Sequence, residues 1–322
     1  MGASPGRRWR RDISPALQDW ISIFLGIVVE ATPFLLLGVV VSSVVHVFVR
    51  EDTLLRYVPK NPVLSVIPAI GMGMLMPVCE CGNVAVARRF LAKGVPTSSC
   101  VAFLLAAPVL NPVALIATAT AFRSEPSMVW LRAGLTFFIA AGVGLLVGQM
   151  GKGEEILAPG LLRATGRHTH PHDHDHSSAG GWPAAVAKLE RSANHAGAEF
   201  MSMMQVLVFG ASIAAATQVL IPRDAFTNLG TDVVLGIVAM MSLAFVLSIC
   251  STVDAFFALS YSNIFPMPAL LAFLVLGPMM SMKGIGLLLT AFRPRVVVTM
   301  AAVVVELVLM SALLLNLRGV LL

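Results

Sequence analysis

The chain alternates long apolar stretches with short polar connections over almost its whole length. Most of these stretches hold at least the ~20 residues that an α-helix needs to cross the hydrocarbon core of a bilayer. The pattern predicts an all-α integral membrane protein with about eight transmembrane helices. The predicted segments are 16–49, 63–90, 96–122, 127–150, 196–221, 232–260, 266–292 and 295–317.

Composition supports this class and excludes a soluble enzyme. Of the 322 residues, 57% are hydrophobic and only 12% are charged, whereas soluble domains carry about 25% charged residues. The mean hydropathy is +0.86. The formal net charge of +5 is spread over short clusters between apolar segments, which is typical of a topology signal and does not indicate a nucleic-acid partner.

The distribution of Lys and Arg predicts the orientation in the membrane. With the N-terminus inside, thirteen of them fall on the predicted inner segments and eight, Arg132 among them, on the outer ones. We therefore expect a multi-pass protein of the cytoplasmic membrane, with a basic cytoplasmic N-terminus (1–15) and a cytoplasmic C-terminus.

Short motifs recur at a fixed distance along the chain. Ala-Phe-Leu at 102–104 returns at 272–274, and Thr-Ala-Phe-Arg at 120–123 returns at 290–293, an offset of 170 in both cases. The recurrence predicts two homologous transmembrane repeats of four segments each, 16–150 and 196–322. Duplicated halves with interrupted helices are the layout from which secondary transporters build a site at the bilayer midplane. Parallel and inverted arrangements both remain open at this point.

A polar segment, 151–195, joins the two halves and is predicted to be a cytoplasmic linker. Its histidines alternate with other residues, and such imidazoles can chelate Zn, Ni or Cu ions from a flexible loop. The alternative is a solvated linker that binds metal only incidentally. No other cofactor is expected. The candidate metal ligands are His168, His170, His172, His174 and His176.

The sequence Met-Pro-Val-Cys-Glu-Cys-Gly-Asn at 76–83 interrupts an apolar segment with proline, thiols and a carboxylate. Pro77 lacks a backbone donor, and broken backbone at membrane depth persists only where it is buried or lines a wet cavity. The segment is therefore a candidate substrate site. Its candidate residues are Cys79, Glu80, Cys81 and Asn83.

Three further polar interruptions match this one. The run 248–254 places Cys250 and Asp254 inside the sixth segment, Asn111 lies between two prolines in the third, and Lys283 lies in the seventh. Three thiolates in one cavity would suit Cu(I), Zn or trivalent arsenic. The alternative is that each cysteine packs between helices as a small hydrophobic residue.

Ionisable side chains at membrane depth usually pair or line an aqueous path, because their burial is costly. Five such residues are singled out deep in the predicted segments: Glu30, Glu80, Asp254, Lys283 and Glu306. Lys283 is the base of this set, and we expect it to pair with Asp254. Glu30, Glu80 and Asp254 are the candidate proton carriers.

The segment PVCECGNVAVARRFLAKGVPTSSCVAFLLAAPVLNP resembles the signature of a bacterial predicted-permease family that includes the organoarsenical-efflux permeases. CSTVDAFFA and AFLVLGPM in the second half resemble the same family. The resemblance implies an eight-helix inner-membrane permease. Many members have Ser where Glu80 stands, and the His-rich linker is not a general feature, so a metal ion or another soft species is favoured. The resemblance points to Cys79, Cys81, Gly82, Lys93, Gly94, Pro108, Asn111, Pro112, Cys250, Asp254 and Pro278.

These observations predict a permease, not an enzyme, that exports a soft metal, metalloid or organometalloid species with Cys79, Cys81 and Cys250 as transient ligands. Its expected partners are the lipid bilayer, this small substrate and a second copy of the chain. Two alternatives stay open. One is an intramembrane thiol oxidoreductase that uses Cys79 and Cys81, and the other is a non-transporting metal-sensing subunit.

Overall fold

The structure is a computed structural model that describes residues 15–48, 61–76, 80–151, 153–159, 161, 182–220 and 233–317. Within these ranges the chain forms α-helices and no β-strand beyond one isolated bridge between Leu157 and Phe292. The helices are α1 (Pro15–Phe48), α2 (Pro62–Leu75), α3 (Glu80–Ala92), α4 (Thr97–Leu110), α5 (Pro112–Ala121), α6 (Ser127–Gln149), α7 (Gly153–Ile156), α8 (Trp182–Leu220), α9 (Val233–Leu247), α10 (Asp254–Ser260), α11 (Met267–Met279), α12 (Met282–Leu288) and α13 (Pro294–Leu317).

Among the described residues, six helical segments are long and apolar enough to cross a membrane. The predicted class, an all-helical membrane protein, is confirmed, whereas the count of eight crossings stays a prediction. Two further apolar helices, Val63–Leu75 and Val233–Leu247, are shorter than a crossing requires. The six segments are Pro15–Ser42, Thr97–Ala121, Ser127–Gln149, Phe200–Leu220, Met267–Leu288 and Pro294–Leu317.

The interruptions lie where the sequence places them. The predicted segment 63–90 is divided into α2 and α3, and 232–260 into α9 and α10. Asn111 separates α4 from α5 in an extended conformation, accepting a hydrogen bond from the Ala114 amide (2.7 Å) and donating one to the Pro108 carbonyl (3.1 Å). The following residue, Pro112, has no amide hydrogen to satisfy. The break between α4 and α5 therefore leaves few unsatisfied backbone groups at membrane depth.

The interrupted helices occupy the centre of the molecule. Every residue of α4 from Ser98 to Leu110 is buried, as is every residue of α11 from Pro268 to Met279. The uninterrupted helices α1, α6, α8 and α13 surround them and turn large apolar side chains outward, such as Phe138 and Phe209. Apolar exposure of this kind is expected of a surface that faces lipid. The polar breaks are thus held inside the bundle.

The first part of the linker is tied to the second half of the chain. The Ala158 amide donates to the Ala291 carbonyl (2.9 Å), and the Arg293 amide donates to the Ile156 carbonyl (2.9 Å). Ile156 and Leu161 are buried. The segment that follows α6 is therefore fixed against the start of α13.

Candidate functional site

A small cavity lies where the broken helices meet. Its volume is about 10 Å³, enough for about one water-sized group. Both proline breaks reach it, Pro108 from α4 and Pro278 from α11, so parts of the chain far apart in sequence share one chamber. It is lined by Glu30, Ala31, Phe34, Glu80, Cys81, Pro108, Ile249, Cys250, Ser251, Pro278 and Lys283.

The Glu80 side chain on this cavity is bonded to two residues of the second half, Ser281 and Lys283. Glu80 is the first residue of α3, and its carboxylate lies 3.2 Å from the Lys283 ammonium of α12. The Ser281 hydroxyl also lies 3.0 and 3.1 Å from its two oxygens. Ser281 in turn accepts a hydrogen bond from the Gly284 amide (3.0 Å) and so caps α12. The capped start of α12 holds the carboxylate in place.

Gly284 allows this approach. A methyl group at position 284 would lie 3.0 Å from the Ser281 hydroxyl and 3.4 Å from a Glu80 carboxylate oxygen. The first distance is crowded and would displace the Ser281 hydroxyl by a few tenths of an ångström, whereas the second is an ordinary contact. The glycine belongs to the geometry of the ion pair although it carries no functional group.

Asp254 does not pair with Lys283, so that prediction is wrong. Its carboxylate binds the Arg132 guanidinium of α6 through two contacts, of 2.6 and 3.2 Å. The same guanidinium donates to the Thr118 hydroxyl of α5 at 2.7 Å. The side chains of Arg132 and Asp254 are 0% and 3% exposed, so this pair is sealed from solvent.

This pairing arises because two short helices, one from each half, pack against helices of the other half. The helix that begins with Asp254, α10, packs against α5, whereas the helix that begins with Glu80, α3, packs against α12. Lys283 therefore lies next to Glu80, and Asp254 lies next to Arg132 of the first half. Arg132, which the sequence analysis assigned to an outer segment, lies six residues into α6 and is fully buried.

Two of the predicted site thiols, Cys81 and Cys250, share the cavity, whereas Cys100, which was not predicted to belong to the site, does not line it. Cys81 is 1% exposed and Cys250 is 7% exposed, and both line the chamber. Cys100, also buried, is not among the lining residues. Cys100 is thus a natural internal control for any thiol chemistry at the cavity.

The remaining predicted residues fall into two groups. Asn83 and Asn111 are buried but do not line the cavity, and Asn111 acts as the cap described above. Cys79 and the five linker histidines lie outside the described residues. In the part of the chain that the structure describes, no cluster of three or more His, Cys, Asp or Glu is arranged to hold a metal ion.

Ser251 is a site residue that sequence reasoning missed. It lines the cavity next to Cys250, is 3% exposed, and its hydroxyl has no hydrogen-bond partner. Buried hydroxyls are nearly always bonded to protein, water or ligand. An unsatisfied hydroxyl on the wall of a polar cavity marks a position where a bound group can contact the protein.

Comparison with known proteins identifies the family. A family model described as a predicted permease matches residues 16–317. The YcgR protein of Bacillus subtilis, a UPF0718 protein, is 39% identical over 293 residues, covering 91% of this chain and 95% of its own. A Streptococcus mutans protein named as a subunit of a two-component membrane permease complex is 32% identical over 275 residues, covering 85% and 87%. No solved structure matches significantly. The chain belongs to the predicted-permease family.

Proposed function

We propose that this permease exports a soft metal, metalloid or organometalloid species through the cavity between the broken helices. The observation that carries the proposal is the joint presence of Cys81, Cys250 and Glu80 on one enclosed wall. Thiolates select soft ions.

We also propose that the two halves, 16–150 and 196–322, are related repeats. Corresponding contacts support this proposal. Gly73 packs on Ala107 in the first half, and Ala244 packs on Gly277 in the second, at positions 171 and 170 residues further along. The ring contact between Phe90 and Phe103 has a counterpart between Phe257 and Phe273, at positions 167 and 170 residues further along. Breaks that meet between such repeats are the arrangement secondary transporters use.

Proton coupling is assigned to Glu30 and Glu80, which both line the cavity. Asp254 is removed from this set because its carboxylate is sealed against Arg132 and does not reach the chamber. A carboxylate that exchanges protons during transport needs a path to water.

The Streptococcus relative is named as one subunit of a two-component complex. We carry a partner membrane subunit over to this chain as part of the proposal. Co-purification from membranes under mild detergent, followed by identification of the accompanying protein, tests it. A chain that always purifies without a second component would contradict it.

The thiol site is tested by uptake into everted membrane vesicles. Candidate ions and trivalent arsenicals are compared in wild type, Cys81→Ser, Cys250→Ser and the control Cys100→Ser. We expect the first two substitutions to abolish uptake, and the control to retain it because Cys100 does not line the cavity. Undiminished uptake by both Cys81→Ser and Cys250→Ser would remove the thiols from the mechanism.

A further inference from the structure

The cavity wall holds a single basic side chain among acids and thiols. Of the described residues that line it, Lys283 alone is a cation, facing the carboxylates of Glu30 and Glu80 and the sulfurs of Cys81 and Cys250. Its ammonium lies 3.2 Å from Glu80 and its side chain is 5% exposed. A buried base in this position keeps the neighbouring carboxylate neutralised while the cavity is empty of cargo.

The same base opposes any positively charged cargo. A cation that bonds to Glu80 from the cavity meets the ammonium within a few ångströms, and like charges repel strongly where water is excluded. Cargo and Lys283 therefore compete for the same carboxylate oxygens. The unsatisfied hydroxyl of Ser251 on the same wall is an independent indication that a ligand is held here.

We propose that Lys283 sets the charge selectivity of the site. Its ammonium is the resident counter-ion of Glu80, a cationic thiophilic cargo binds by displacing it, and its return to Glu80 promotes release. An uncharged thiophilic cargo that bonds only to sulfur does not compete with it. This inference rests on the proposed function, because it assumes that the cavity is the cargo site.

The test compares two thiol-reactive probes on the purified full-length protein: Cd²⁺, which is cationic, and phenylarsine oxide, which is uncharged. Binding of each is measured for wild type, Lys283→Gln, Lys283→Arg and the control Arg295→Gln. Arg295 is an exposed cation that does not line the cavity. We expect Lys283→Gln to tighten Cd²⁺ binding roughly tenfold. Lys283→Arg and Arg295→Gln should leave it unchanged, and phenylarsine oxide should bind all four proteins alike.

The inference is overturned if Lys283→Gln binds Cd²⁺ with unchanged or weaker affinity, or if both probes shift together. Should Lys283→Gln fail to fold, the uncharged pair Glu80→Gln with Lys283→Gln replaces it. That variant should lose Cd²⁺ affinity and keep phenylarsine oxide binding, and wild-type Cd²⁺ affinity would contradict the inference. If wild type binds neither probe, the proposed function itself fails.

A second inference rests on contacts away from the cavity and concerns how the halves are oriented. The repeated Thr-Ala-Phe-Arg motif precedes α6 at 120–123 and α13 at 290–293. The segment just after α6 is hydrogen-bonded to residues 291 and 293, just before α13. Helices α6 and α13 have 23 and 24 residues, each long enough to cross the membrane. The end of α6 and the start of α13 thus share one face, and the two copies of the motif lie on opposite faces.

The two ends of the α9–α10 pair lie close together. A methyl group added at Gly236, near the start of α9, would lie 3.4 Å from the ring of Phe265, which follows α10. A segment whose two ends meet enters and leaves by the same face. In the first half, Phe90 at the end of α3 reaches Phe103, in the first half of α4, so α3 likewise returns toward the face where α4 begins.

The first helices of the two halves also run in opposite directions. Gly38 touches Gly82, and the Arg89 side chain donates to Ser42, so α1 runs alongside α3 toward the face where α4 begins. In the second half Val206 lies against Gly286, and Gly210 against Lys283, so α8 runs antiparallel to α12. Since α12 leads to the face that α13 leaves, α8 runs away from that face.

We infer that the halves are inserted in opposite orientations, each with three crossings and one re-entrant helical hairpin. Both hairpins direct their breaks at the cavity, Glu80 beginning the returning helix of one and Cys250 lying in the break of the other. The start of α1 and the end of α13 then share one face, and segment 153–159 lies on the other. In such an arrangement, movement of the two hairpins relative to the rest of the bundle opens the cavity first to one face of the membrane and then to the other.

Single cysteines test the orientation. The test uses four exposed residues at or near the ends of helices: Ser124, Asn263, Glu155 and Arg295. Each is replaced by Cys, one at a time, in a variant whose four native cysteines are Ser. A membrane-impermeant maleimide is applied to intact cells and to lysed cells. We expect positions 124 and 263 to label alike, and 155 and 295 to label alike with the opposite accessibility. The eight-crossing arrangement instead pairs 124 with 295 and 155 with 263, and that pattern would overturn the inference.

Discussion

Two buried ion pairs join the halves of this protein, and they are built differently. Arg132 and Asp254 form a two-contact pair that is sealed and further bonded to Thr118. Glu80 and Lys283 form a single contact of 3.2 Å beside the cavity, with the Glu80 side chain 12% exposed. The helices α3 and α10 begin with Glu80 and Asp254, respectively, but of these two carboxylates only Glu80 lines the cavity.

The difference separates a structural role from a functional one. A guanidinium held by two oxygens and a hydroxyl has little freedom, and its fork geometry suits a permanent link. A lysine on a flexible stem can leave its partner and return. We therefore propose that the Arg132–Asp254 pair holds α10 against α5 and α6. The Glu80–Lys283 pair is instead proposed to take part in binding and releasing the cargo.

The largest expected effect follows from breaking the sealed pair. Arg132→Gln leaves the Asp254 carboxylate buried without a counter-charge, which costs about 3–5 kcal/mol of folding stability. Thermal unfolding of the purified protein measures this loss. The double substitution Arg132→Met with Asp254→Leu removes both charges and should recover most of the stability. A single substitution that leaves the melting temperature unchanged would contradict the structural assignment.

A smaller loss is expected at the cavity pair. Glu80→Gln keeps the hydrogen bond from Ser281 and faces a chamber rather than dry packing, so we expect roughly 1–3 kcal/mol of destabilisation. Uptake into vesicles should nevertheless be abolished. If Glu80→Gln destabilised the protein as much as Arg132→Gln, the proposed contrast between the two pairs would fail.

The smallest effects concern the hydroxyls that support each pair. Thr118→Val and Ser281→Ala each remove a single hydroxyl group, worth about 1 kcal/mol of stability. The two should lower the melting temperature by similar amounts, but only Ser281→Ala should weaken uptake, because Ser281 bonds the cavity carboxylate. Equal loss of uptake in both variants would show that transport does not distinguish the pairs.

The sequence predicts the breaks well because their causes are local. The prolines around Asn111 and the small polar run at 248–254 interrupt helices for reasons that act within a few residues. Both breaks appear in the structure, and Cys250 of the second break lines one cavity together with Cys81 of the 76–83 run.

The partners of the charges could not be predicted, because pairing depends on which half-helix packs on which. Asp254 and Lys283 are closer in sequence than either true pair, yet they are separated because α10 packs against α5 and α12 packs against α3. One signal for Arg132 was present, since it lies within the predicted segment 127–150 and was nevertheless counted as an outer residue. Nothing in the sequence distinguishes Ser251 from Ser248, the other serine of its run.

The account depends most on Cys81 and Cys250 sharing the cargo chamber, and X-ray absorption by bound Cd²⁺ tests this directly. Sulfur neighbours of the metal are counted in wild type, Cys81→Ser, Cys250→Ser and Cys100→Ser. We predict that each of the first two variants loses a sulfur neighbour and that Cys100→Ser matches wild type. An unchanged sulfur count in Cys81→Ser and Cys250→Ser, or a loss in Cys100→Ser, would contradict the account.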